Sequence, residues 1–456
     1  MLRIYLDWNC ITHLKEPENR ELFDYILSNK HYFIFPFSPA HFEDLQRSRP
    51  SEGNENEDYY RDLNTLHNIC ETHLILFDNA KKRVLPFFAT PYEYAKKSGD
   101  TLDDILKYDS FTEYITKEIG EPFSAIFDKQ LERMPTKGNI TFFPNEVIKN
   151  GADLLNQGFQ YMKEVQTRVN YNKKLSAGIR DYDALSFKRI SGATPDNIHE
   201  EIDNMISKST PQFNMDKLIE FTLQNNTQKS DLTEFISYYL TYDFMGFKQD
   251  RGHDLRNITT DAMHAYYGSY CDVLVTNDKR MAGKAKAVYK DMKISTKVIS
   301  SNELRQYISK NIARQFSLKQ YIMELGSNIH FKDAYLPGDA HCRYSYFNSP
   351  FLGFFNYGMA IYDIDTHVPY FLFQRRLLEK DMIFFTEIDK LQSSITKFLQ
   401  LDANANNDIN DFFDSIKQDK TSSYCAQTKK WRLTLLQDSE LPGIPSLVIC
   451  HANRKS

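Results

Sequence analysis

The sequence predicts an α/β fold built on a parallel sheet, enlarged by a helical insertion and followed by a C-terminal α+β domain. Three observations carry this reading. The chain opens on an apolar stretch in which Leu2, Ile4 and Leu6 alternate with Arg3 and Tyr5, and helix-like "CITHL" follows at once. Strand and helix signals alternate again through "TTDAMHAYYGSYCDVLVTNDKRMAGKAKAVYKDMKISTKVISSNELRQYI", a βαβ pattern that implies parallel pairing. Beyond residue 315 the texture changes to aromatic, turn-rich sequence.

With 456 residues the chain exceeds one ordinary hydrophobic core, so two or three domains are expected. The 17 Gly and 16 Pro are too few for long low-complexity tracts. A formal net charge of -5 gives no global attraction to polyanions, so a nucleic-acid partner has to be met by a local basic patch or by metal ions. Cys10, Cys70, Cys271, Cys342, Cys425 and Cys450 are scattered, with no CxxC pair and no histidine at zinc-ligand spacing, which reads as reduced thiols in the cytoplasm. No signal peptide and no membrane-length apolar run is expected.

In chain order, "NRELFDYILSN" has apolar residues at helical spacing, and "HYFIFPFS" reads as a second strand. Ser38-Pro39 is a helix start, a capping hydroxyl followed by a proline whose missing N–H costs nothing there, so "SPAHFEDLQRS" is read as helix. From Tyr59 to about residue 250 the pattern is mostly helical, as in "YYRDLNTLHNICETHLILF" and "DLTEFISYYLTYDFMGF". Then come the strand Val273 to Thr276, a helix, the short strand "TKVIS" and a helix from "SNELRQYI". In the last part "EKDMIFFTEIDKLQSSITKFLQL" reads as helix and "KKWRLTLLQDSELPGIPSLVICH" as strand, turn and strand. The expected domains are therefore residues 1–58 with 251–312 as a sheet core, 59–250 as a mainly helical insertion, and 313–456 as an α+β domain.

Four acids fall where they can converge on one strand edge. Asp7 follows the first strand, Glu43 lies on the helix after the second, Asp261 opens a helix capped by Thr259 or Thr260, and Asp278 leaves the sheet just after "VLVT". In open α/β sheets the carboxyl ends of the strands are where ligands bind. Asp7 reads equally as a cap for the next helix, and Asp44 is an alternative to Glu43. Carboxylates gathered on one edge repel and raise one another's pKa. A hard divalent cation resolves that repulsion, and Mg²⁺ or Mn²⁺ takes a few carboxylates, keeps waters and leaves room for phosphate oxygens.

These segments, "IYLDWN", "SPAHFEDL", "TTDAMHAYYGSYCDVLVTND" and "KVIS", together resemble the PIN-domain nucleases. The resemblance implies a PIN-like parallel sheet between helices, one or two Mg²⁺ or Mn²⁺ ions on Asp7, Glu43, Asp261 and Asp278, and hydrolysis of RNA or of single-stranded or structured DNA by metal-activated water. It also implies products with 5'-phosphate and 3'-hydroxyl ends. Around these residues, Asn9 and Thr276 are read as hydrogen-bonding supports, and His264 shares a helix face with Asp261. Lys279, Arg280, Lys284 and Lys286 after Asp278, and Arg251, His253 and Arg256 upstream, are read either as contacts to substrate phosphates or, more simply, as solvent-facing charge. A large appended architecture suggests a regulatory protein partner and, by association alone, a prokaryotic defence or toxin-like setting. In the C-terminal part Tyr344, Tyr346, Phe347, Phe354, Phe355 and Trp431, with Lys429, Lys430 and Arg432, are read either as a base-stacking surface or, more simply, as sheet core. A haloacid-dehalogenase-type phosphatase also begins with an aspartate after strand one, but its second acid would stand at Asn9. The competing reading from another class is a catalytically silent PIN-like scaffold that binds partners through its C-terminal domain.

Overall fold

The first strand, β1 (Leu2–Leu6), is buried along nearly its whole length, including Arg3. Burial on both faces is what a central parallel strand requires. β1 pairs in parallel with β2 (Phe33–Ile34) on one side and β5 (Val273–Val275) on the other, and β6 (Lys297–Ile299) extends the sheet beyond β5. "HYFIFPFS" is thus a strand of two residues only, continued by Phe37, whose amide donates to the His73 carbonyl at 2.9 Å. The chain runs from β1 to one neighbour and reaches the other neighbour only after residue 270, so the strand order reverses at β1. In open α/β sheets the carboxyl ends of the strands at such a reversal are where ligands bind, here the ends of β1 and β5.

The structure, a computed structural model, describes residues 1–47, 57–97, 192–209, 214–224, 230–244, 246–248, 255–313, 332–335, 341–347, 351–363, 368–375, 384–399, 403–417, 422–427, 431–437 and 444–451. Two compact units divide the chain. One comprises Ile4–Phe23 and Phe35–Ser301, the other Met1–Arg3, Asp24–Ile34 and Asn302–Ser456. This partition differs from the three segments read from the sequence, because helices of the expected insertion belong to the same unit as β5.

In the first unit α1 (Trp8–Leu14), α3 (Pro39–Arg47) and α4 (Glu57–Cys70) follow the early strands. The helical pattern expected from Tyr59 onward breaks at a hairpin, β3 (His73–Asp78) and β4 (Arg83–Phe88). Asp78 shapes the turn of that hairpin, its Oδ1 accepting the amides of Ala80 and Lys81 at 2.8 and 2.9 Å. After α5 (Pro91–Lys97), helices α6 (Ile198–Ser209), α7 (Met215–Gln224), α8 (Asp231–Phe244), α9 (Leu255–Gly268) and α10 (Lys279–Asp291) complete the unit. Tyr266 on α9 donates to Asp231 on α8 at 2.9 Å, and Lys284 on α10 pairs with Asp243 on α8 at 2.6 Å, over the ring of Tyr239. Lys284 is fully buried in that pair, so it is neither a phosphate contact nor solvent-facing charge.

The second unit holds α2 (Arg20–Asn29) from Asp24 onward and α11 (Ser301–Ala313) from Asn302 onward. Its main feature is a seven-stranded antiparallel sheet of β7 (Lys332–Tyr335), β8 (His341–Phe347), β9 (Tyr357–Asp363), β10 (Val368–Gln374), β11 (Ser423–Gln427), β12 (Trp431–Gln437) and β13 (Pro445–His451), in the order β11-β12-β13-β10-β9-β8-β7. α12 (Phe385–Leu399) and α13 (Ala403–Lys417) supply Leu391, Ile395, Ile409 and Phe413 to the core beside it. Phe354 and Phe355 are buried in this core, so the sheet-core reading replaces the base-stacking one for both. The side chains of Tyr344, Tyr346, Phe347 and Trp431, like residues Lys429 and Lys430, lie outside the described residues. Among the described residues no helix is long and apolar enough to cross a membrane.

Candidate functional site

Two aspartates stand at the carboxyl edge where the sheet order reverses. Leu6 is in register with Val275, and the Asp7 amide donates to the Val275 carbonyl at 3.0 Å, so Asp7 leaves β1 beside the point where the chain leaves β5. Asp7 is 2 % exposed and caps α1, with its Oδ1 accepting the Cys10 amide at 2.7 Å. Its Oδ2 is buried and makes no hydrogen bond of good geometry, although the Thr276 hydroxyl stands close enough to favour the charged form. Burial raises the Asp7 pKa above the usual aspartate value, and Thr276, the Cys10 amide and the charge of His264 only partly oppose it.

Asp278 caps α10, its Oδ1 accepting the amides of Arg280 and Met281 at 2.6 and 3.0 Å. Its own amide donates to the Thr276 hydroxyl at 3.1 Å. Asn277 pins the same turn, since its Oδ1 accepts the amide and hydroxyl of Ser301 at 3.0 and 2.9 Å. Thr276 thus accepts from the backbone of Asp278 and stands beside the Asp7 carboxylate. Lys279 and Arg280 are exposed in the first turn of α10, and Asn9 is exposed in the first turn of α1. Arg251 and His253, and the side chain of Arg256, lie outside the described residues.

Beneath this edge runs a buried polar network that the sequence did not reveal. The Tyr5 hydroxyl lies 2.6 Å from Ser38 Oγ and 2.9 Å from His264 Nδ1, and His264 Nε2 lies 2.9 Å from Asp44 Oδ2. Because a carboxylate only accepts, Nε2 of His264 carries a proton. His41 Nε2 donates to the Leu6 carbonyl at 2.8 Å, and its Nδ1 accepts the Ser38 amide at 3.1 Å, a capping arrangement at the start of α3. Burial first, and then the charge of His264, lowers the His41 pKa well below the usual histidine value, so this ring is neutral. Tyr5, Ser38, His41 and His264 are all buried.

Glu43 is buried at 3 % exposure, and Asp44, at 14 % side-chain exposure, faces His264. Asp261 lies mid-helix, since α9 begins at Leu255, so neither Thr259 nor Thr260 is its cap and the first-turn placement is corrected. It precedes His264 by about one turn and shares its side of α9. α3, carrying Glu43, and α9, carrying Asp261, are therefore joined through Asp44 and His264.

The donor set suits a hard divalent cation at Asp7, whose Oδ2 is a buried carboxylate oxygen without a satisfying donor, and at Asp278, which has spent only one oxygen on its cap. Among the described residues, no group of three or more His, Cys, Asp or Glu stands arranged to hold a metal ion. Compared with protein-family models, curated proteins and solved structures, the chain matches none.

Proposed function

We propose that this chain is a metal-dependent phosphodiesterase of the PIN-like kind that cleaves RNA or single-stranded or structured DNA. The observation that carries the reading is the Asp7 carboxylate, buried at the strand edge where the sheet order reverses with one oxygen left unsatisfied. A buried charge without a compensating partner is costly, and folds keep such groups where they work. Asp7 and Asp278 would hold Mg²⁺ or Mn²⁺, with Asp261 and Glu43 as further carboxylates. When bound, the ion supplies an acidified water and neutralises charge on the phosphoryl oxygens. The chain's own residues do the rest. Thr276 orients Asp278 through its amide and favours the charged form of Asp7. Lys279 and Arg280, exposed beside the cap of α10, orient the phosphodiester. The apolar body of β1 and β5 excludes water from below.

The test is incubation of the full-length protein with single-stranded RNA, single-stranded DNA and duplexes in Mn²⁺, alongside Asp7→Asn, Asp261→Asn and Asp278→Asn. Each substitution is expected to lower cleavage more than about 100-fold, since even groups outside the metal's own ligands are worth about 10–100-fold. Full Mn²⁺-dependent activity in Asp7→Asn would sink the assignment. One observation favours the silent-scaffold reading instead, for both aspartates cap helices, a role that needs no metal. Calorimetric titration with Mn²⁺ separates the two, and absence of binding would favour the scaffold.

A further inference from the structure

We infer that Asp44 and His264 form a positioning pair that sets the carboxylates of three different elements at once, and that Asp44 is not itself a metal ligand. The inference rests on the phosphodiesterase reading for its consequence, but its geometry stands apart from it. His264 is buried on α9 and is gripped from two sides, by Asp44 of α3 at Nε2 and by Tyr5 of β1 at Nδ1, both at 2.9 Å. Each grip belongs to an element that carries a candidate donor. Tyr5 lies two residues before Asp7, Asp44 is adjacent to Glu43, and His264 lies one turn after Asp261.

The network is continuous. Asp44 only accepts, so His264 carries a proton on Nε2, and the Tyr5 hydroxyl links His264 Nδ1 at 2.9 Å to Ser38 Oγ at 2.6 Å. His41 adds a second tie between α3 and β1, with its ring 4.9 Å from both Tyr5 and His264 and its Nε2 on the Leu6 carbonyl, the residue before Asp7. Adjacent helical residues point about 100° apart, so with Asp44 turned onto His264 the roll of α3, and with it the direction of Glu43, is determined. Supports of this kind around a metal are typically worth about 10–100-fold in affinity.

The experiment compares wild type, Asp44→Ala and Asp44→Asn as full-length proteins, reading Mn²⁺ affinity by calorimetry and metal-free amide hydrogen exchange at Ser38 and Cys10. Asparagine keeps a carbonyl that accepts from His264 Nε2 and removes the charge; alanine removes both. Positioning predicts that alanine weakens Mn²⁺ binding by about 10–100-fold and speeds exchange at Ser38 and Cys10, while asparagine restores both close to wild type. Equal loss in the two variants would mark Asp44 as a ligand or a charge and overturn the inference. Unchanged exchange at Cys10 in Asp44→Ala would overturn it whatever the metal does. If exchange follows the prediction but wild type binds no Mn²⁺, the positioning pair stands and the phosphodiesterase reading falls. Should alanine prevent folding, His264→Gln, which can still donate to Asp44, is expected to retain Mn²⁺ affinity and slow exchange, and loss of both would overturn the pair.

Discussion

Two buried carboxylates, Asp7 and Glu387, have opposite surroundings. Glu387 on α12 is completely buried, and burial by itself would raise its pKa, yet the Met1 amine, Arg3 and Arg375 outweigh that effect and hold it at about 2. The Met1 amine and the Arg3 guanidinium each lie 3.4 Å from its Oε1. Asp7 is equally hidden but has a hydroxyl, a backbone amide, the field of a histidine and the Cys10 thiol in its favour, with no cation among the described residues held to it in an ion pair, and burial wins. Compensated charge is how a fold uses a carboxylate as a fastener, whereas an under-compensated one at a strand edge is how it keeps a carboxylate for a ligand. The two acids differ in the cations around them, since each keeps one buried oxygen without a hydrogen-bond partner.

Removing the compensated acid should do most damage. Glu387→Gln leaves Arg3 and the Met1 amine buried against a neutral group and is expected to cost about 3–5 kcal/mol, lowering Tm by roughly 10 °C. Thermal unfolding would check this, and a change below 1 °C would place Glu387 in a wetter setting than the structure gives it. The same contrast has a pH sign. Glu387 is depressed from 4.5 to about 2, so its stabilisation is fully present above the unfolded value and is lost as pH falls from about 4.5 through about 2.

Asp7 runs the other way. Its folded pKa is raised, so the metal-free folded chain binds this proton more tightly than the unfolded chain does, and stability declines as pH rises through the folded value. Asp7→Asn keeps a side-chain oxygen for the Cys10 amide and removes the charge, and each unit of the shift it abolishes is worth about 1.4 kcal/mol. A higher metal-free Tm at pH 7 is expected, by less than Glu387→Gln lowers it. A lower Tm would mark Asp7 as a structural acid like Glu387.

A third acidic group, held by a titratable partner, gives the weakest effect. His199 on α6 lies 3.1 Å from Asp291 of α10, 3.5 Å from Asp216 of α7 and 3.7 Å from Asp203 of its own helix, and Tyr242 and Tyr238 of α8 donate to Asp291 and Asp216. The hydrogen bond to Asp291 raises the His199 pKa, opposed by partial burial and aided by the charges of Asp291, Asp203 and Asp216. Its stabilisation is present below the unfolded value of 6.5 and is lost as pH rises through the raised folded value. The group is partly exposed, so His199→Gln should cost under about 1 kcal/mol at pH 6, and less at pH 9. Denaturant midpoints at the two pH values would decide it, and equal losses at both would remove the histidine's charge from the account.

Much of the α/β frame is legible in short stretches. "VLVTNDKRM" contains an apolar run, a turn and a capping aspartate whose amide partners lie two and three residues away, so β5 and α10 are where they are expected. Ser38-Pro39 marks the start of α3 by the same local logic. Misreadings arise where a local signal competes with a distant one. Thr259 and Thr260 look like caps, but α9 begins at Leu255 and both are buried inside it. "HLILF" continues a helical spacing, yet it becomes a strand because Phe37 and β4 offer backbone partners on either side. Lys284 sits in a charged run, and only Asp243, 41 residues earlier, shows why it is buried.

The candidate site divides along the same line. Strand ends, caps and hence the places of Asp7 and Asp278 follow from interactions within a few residues, which a sequence displays. Whether Glu43 or Asp44 meets His264 depends on the roll of α3, and that roll is decided by a histidine 220 residues away. The compensation of Glu387 by Arg3 spans nearly the whole chain as well. Periodicity and capping are local and additive, so they can be read in order along the chain. Charge pairing and burial of polar side chains depend on which distant groups share a low-dielectric interior, and only the folded chain brings those groups together.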